Sequence, residues 1–85
     1  MNKKFLITVI IPTLEMEFDA YVPNNKKIGT IKKNIIKSIV ELSNNNFIGD
    51  EQTCLFINKD SGDSYDNNMY VKDSGIKNGS KIIII

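Results

Sequence analysis

The apolar positions of this chain change their period three times. From Phe5 to Ile11 only Thr8 is polar and β-branched residues dominate, which predicts a strand with apolar groups on both faces. Pro12 ends it, because proline cannot donate to a ladder. Leu14, Met16, Phe18, Ala20 and Val22 then alternate with Glu15, Glu17, Asp19 and Tyr21, the pattern of a strand with one wet face. So short a connection makes the two an antiparallel hairpin, and Pro23-Asn24-Asn25 stops the second strand.

Steps of three and four follow. Ile28, Ile31, Ile35, Ile39 and Leu42 mark one face of an α-helix, with Gly29 or Thr30 at its N-cap and Ser43 to Asn46 as its stop. Ile36 and Val40 lie off that stripe and widen the apolar arc, as residues packed beneath a loop would. Thr53 to Ile57 predicts a third strand, Asn58 to Gly62 a turn, and Ser64-Tyr65 a brief edge pairing. In the irregular stretch that follows, Val71 and Ile76 are the expected core anchors. Gly75 suits a positive φ, and Asn78-Gly79 suits a tight turn. Lys81 to Ile85 is the last strand; apolar on both faces, it belongs in the middle of a sheet. The order ββαββ predicts an α+β fold of two layers, one helix packed across a mixed sheet. Residues 1–85 are expected to form a single domain.

The start imitates a secretory leader, with Lys3-Lys4 ahead of an apolar run. Pro12 to Glu15 offers no small-residue cleavage site, and the run is too short to span a bilayer. A cytoplasmic location without membrane insertion is expected.

The order and spacing of these elements resemble ubiquitin-like β-grasp domains across almost the whole chain. Two stretches carry the resemblance: Cys54-Leu55-Phe56-Ile57 as the third strand, and Val71 to Ile82 as the loop into the last one. Within that superfamily the chain is similar to the small YukD/EsaB-type proteins of bacterial type VII secretion loci. The features shared are Asn58-Lys59-Asp60 and the Asp73-x-Gly75-Ile76-x-Asn78-Gly79 run. Ubiquitin and the sulfur carriers end in a Gly-Gly tail, whereas here no glycine follows Gly79. The resemblance therefore implies a non-conjugating adaptor, an accessory or regulator of a type VII secretion system. A sulfur carrier or protein modifier remains only for a chain truncated at Ile85.

Composition narrows the chemistry further. The 85 residues include no histidine, tryptophan or arginine and one cysteine. No histidine base for a hydrolase, no histidine or multi-cysteine zinc site and no internal disulfide can be assembled from that set. A net charge of +1 designates no class of partner. Cys54 has no histidine to activate its thiol. Asp60, Asp63 and Asp66 lack the closing glutamate of a calcium loop. The expectation is a binding protein with no enzymatic activity, cofactor or metal.

If Phe5, Ile7, Val9, Ile11, Leu55, Ile57, Ile82 and Ile84 point at the helix, then Leu6, Ile10, Phe56, Ile83 and Ile85 point away. An apolar set on adjacent strands marks an interaction surface, and the resemblance implies docking on this same face. Lys32, Lys33 and Lys37 are the solvated face of the helix or a secondary contact. Nucleic acid is disfavoured, since neither arginine nor a stacking platform accompanies them. The expected partner is another protein, for instance a component of a membrane secretion machine. A weak homodimer through the sheet face is expected as well, and the alternative function is a homo-oligomeric structural module.

Overall fold

The structure, a computed structural model, describes residues 3–44 and 53–85. Strand β1 (Lys4–Ile11) and strand β2 (Met16–Pro23) form the antiparallel hairpin in full register, Lys4 opposite Pro23 and Ile11 opposite Met16. A 3-10 turn over Pro12–Leu14 joins them, closed by Glu15 in the left-handed region. Helix α1 (Ile28–Leu42) crosses one face of the sheet, followed by β3 (Phe56–Asn58) and β4 (Lys81–Ile84). The sheet order is β2-β1-β4-β3, with β4 parallel to β1 and antiparallel to β3. The all-apolar last strand is therefore central, and Ile82 and Ile84 are fully buried. They share one core with Ile7, Val9, Ile11 and the helix isoleucines, Val71 and Ile76 included.

The third strand departs from expectation. Phe56, expected to face outward, is 1% exposed and pairs with buried Ile84. Leu55, expected inward, is 50% exposed, and Ile57 lies on its side of the sheet opposite Ile83. A slip of one residue moves every side chain to the other face, and a run apolar on both faces carries no mark of its register. The phenyl ring goes inside because it removes the most apolar area from water. Cys54 is buried on the same side.

Two helix positions also differ. Leu42 ends the predicted stripe but is 59% exposed. Lys32, expected on the solvated face, is 2% exposed, and its Nζ donates to Asn67 Oδ1 at 3.1 Å. It sits one turn before Ile36 on the flank of the stripe, and residues 66–71 cover that flank. The same loop caps the helix. Lys27 is the N-cap residue and supplies no side-chain bond; the amides of Ile28 and Gly29 donate instead to the carbonyls of Met69 and Asn67, at 2.8 and 2.9 Å.

Gly29 makes that approach possible, since a Cβ there would lie 3.2 Å from the Asn67 carbonyl oxygen. Gly29→Val is expected to push the loop off the helix and to cost at least about 1 kcal/mol. A thermal melt tests it, and an unchanged midpoint would show that the contact yields freely. Gly75 and Gly79 both hold φ +87, as the turn pattern requires.

Candidate binding surface

Helix α1 covers one face of the sheet and leaves the other open. Along the open face the pairing sets the side chains in rows. Glu17, Ile10, Ile83 and Ile57 form one row across all four strands. Leu55 and Ile85 form the next, joined by two backbone bonds, Leu55 N–H to Ile85 O at 2.8 Å and Ile85 N–H to Leu55 O at 3.2 Å. On the other side of the isoleucine row lie Asp19, Thr8 and Lys81, with the Thr8 hydroxyl donating to Asp19 Oδ1 at 3.0 Å. Leu6 and Tyr21 come next, both exposed.

The contiguous apolar patch is thus Ile10, Ile83, Ile57, Leu55 and Ile85. Ile10, Ile83 and Ile85 occupy the face expected of them. Leu6 does so too, but the polar Thr8 row separates it from the rest. Phe56 is withdrawn into the core, and Ile57 and Leu55 take the place it was expected to hold. Sequence reasoning missed these two because of the register slip. No signal in the sequence could have found them, because a run apolar on both faces fits either register. Lys33 and Lys37 are exposed on the helix, in the opposite layer from this patch, and Lys32 is buried; the three do not form one surface with it.

Among the described residues, the other polar and reactive groups have structural surroundings. Cys54 is a buried free thiol. Among the described residues no three histidine, cysteine, aspartate or glutamate side chains gather to hold a metal. Asn58 Oδ1 accepts the amides of Asp60 and Ser61, and Asp66 Oδ1 accepts that of Asn68, so these groups organise turns. Burial pushes the Tyr65 phenol above its ordinary range; a bond with Asn58 opposes the shift and Asp60 adds to it. Between β2 and α1 an open groove of about 240 Å³ is lined by Phe18, Ala20, Ile31 and Ile35. No described helix is long and apolar enough to cross a membrane.

A mixed four-stranded sheet in the order 2-1-4-3, with one helix laid across it after the hairpin, decides the architecture. The chain has the ubiquitin-like β-grasp fold. It is similar to the ubiquitin-like domain of the type VII secretion system protein EccD1 of Mycobacterium tuberculosis, with TM-score 0.72 and 13% identity over 98% of both chains. It is also similar to the ubiquitin-like domain of an Arabidopsis thaliana protein, with TM-score 0.71 and 21% identity over 98% of this chain and 77% of that one. A chain of a toluene 4-monooxygenase complex superposes with TM-score 0.77 and 13% identity over 96% of each. At such identities the likeness is one of fold. No protein-family model matches this ubiquitin-like chain, and no curated protein matches it in sequence.

Proposed function

We propose that this ubiquitin-like domain, residues 1–85 acting as one unit, is an adaptor that works by docking rather than by conjugation. We place it in the cytoplasm as an accessory of a type VII secretion machine of the YukD/EsaB kind. The observation that carries the docking role is the isoleucine row on the open sheet face, extended by Leu55 and Ile85. Patches of that kind on adjacent strands mark interaction sites. The likeness to the EccD1 domain supports the secretion context. No catalytic step, cofactor or metal enters this reading.

Titration against the purified cytosolic segments of a type VII secretion complex tests it. Truncating an interface anchor costs above ~1 kcal/mol, so Ile57→Ala with Ile83→Ala should weaken binding by about tenfold or more while leaving the fold intact. Lys33→Ala with Lys37→Ala should leave binding unchanged. Equal binding by the wild type and the isoleucine variant would remove the face from the account. The homo-oligomeric alternative uses the same patch, which in a two-fold dimer would meet itself. Analytical ultracentrifugation separates the two readings, because a dimer lost in Ile83→Lys with no effect of secretion components would favour self-association.

A further inference from the structure

The lysines are unevenly placed. Lys3 and Lys4 stand at the start of β1, Lys26 and Lys27 in the turn before α1, and Lys72 in the 3-10 turn Val71–Asp73. Backbone bonds draw these segments to one end of the domain. The Asn24 amide donates to the Lys3 carbonyl at 2.7 Å, and the Lys3 amide returns to Asn24 Oδ1 at 3.1 Å. The Lys72 amide donates to the Asn24 carbonyl at 3.0 Å, and the Val71 amide to the Lys26 carbonyl at 2.9 Å. All five lysines are exposed, and among the described residues none is ion-paired. Tyr70 lies between two of them, its ring centroid 5.8 Å from both Lys27 Nζ and Lys72 Nζ. Tyr70 and its neighbour Met69 are 42% and 39% exposed. Asp73 is the carboxylate within these segments.

The opposite end is acidic. Glu15 and Glu17 stand at the hairpin turn, and β1 separates them from Lys4 by at least about 20 Å at the usual strand rise. Glu41 lies in the last turn of α1, about 20 Å along the helix. The screening length in physiological salt is about 8 Å. A charged surface that meets the lysine end therefore feels five lysines against Asp73 and Asp66, the latter in the loop that caps α1, rather than the net +1 of the chain.

The chemistry at that end favours a broad anionic surface over a small anion. The first two amides of α1 point there, but the Met69 and Asn67 carbonyls occupy them. No arginine offers a bidentate fork for a structured phosphate or carboxylate motif. What remains is flexible ammonium groups around an exposed tyrosine and methionine. Lysines among anionic headgroups, with tyrosine at the interface, are the groups that hold peripheral proteins to bilayers. We propose that the lysine end of the domain binds peripherally to membranes rich in anionic lipid. The acidic end then points away from the bilayer, and the open sheet face, along the side of the domain, stays free for a protein. The lysine end and the sheet face are separate surfaces, and each can fail without the other.

Co-sedimentation of the full chain with phosphatidylcholine vesicles, with and without phosphatidylserine, tests the proposal. Binding should require phosphatidylserine and should vanish in high sodium chloride. Each lysine near an anionic surface contributes about fivefold to partitioning. Lys27→Gln with Lys72→Gln should then lower the partition constant roughly 25-fold. Lys33→Gln with Lys37→Gln removes the same charge from the exposed helix face and should lower it only about twofold. Circular dichroism checks that both variants stay folded. Three results would overturn the proposal: no phosphatidylserine-dependent sedimentation at low salt, equal losses from the two lysine pairs, or binding to polyglutamate without binding to vesicles.

Discussion

Phe56→Ala is expected to destabilise the domain by about 3–5 kcal/mol, the usual cost of emptying a buried aromatic site. The ring is 1% exposed and is the largest of the fully buried side chains. It pairs with Ile84 across the sheet and shares the core with Ile35 and Ile39 of the helix. Little can collapse into the space it leaves, because β3 has three residues and both neighbours of Phe56 face the other way. Ile57→Ala, on the open face, should cost well under half as much. Urea denaturation of the two variants, with the slope m unchanged, reads the difference directly. If Ile57→Ala proved the more damaging, the register of the third strand would be wrong by one residue and the binding patch would have to be redrawn around Phe56.

Asn67→Leu is expected to cost about 2–3 kcal/mol, because it leaves a buried donor without its acceptor. The Lys32 side chain is 2% exposed, and its bond to Asn67 Oδ1 ties residues 66–71 to the helix flank. Lys32→Met keeps the aliphatic stem and removes the polar tip, so by itself it should change stability by less than about 1 kcal/mol. In the Lys32→Met background, Asn67→Leu should then lose most of its penalty. A double-mutant cycle by thermal melt measures the coupling. Additive effects would mean that the amino group finds water once Asn67 is gone, and that the bond does not secure the loop.

Much of the fold was legible in the sequence wherever burial was one-sided. Met16 to Val22 alternates because one face of β2 meets water, and Ile28 to Ile39 steps by three and four because one face of α1 does. The acidic and polar residues between them write the orientation into the chain. The central place of β4 was legible for the opposite reason, since Lys81 to Ile85 has apolar side chains on both faces and needs neighbours on both edges. Gly75 and Gly79 were legible because their turns demand a positive φ.

Tertiary structure alone settled three things, and each depended on a contact between segments distant in the chain. The register of Cys54 to Ile57 was open because either face would serve an apolar run. Pairing with Ile83 and Ile84 chose it, and with it Ile57 and Leu55 rather than Phe56 for the open face. The burial of Lys32 and the capping of α1 came from residues 66–71, which carry no periodic signal that says where they fold back. The gathering of Lys3, Lys26, Lys27 and Lys72 at one end came from backbone bonds through Asn24 and Val71. Local pattern records how much of a side chain must leave water. Which distant partner covers it, and which like charges are brought together in the process, is decided only when the sheet closes.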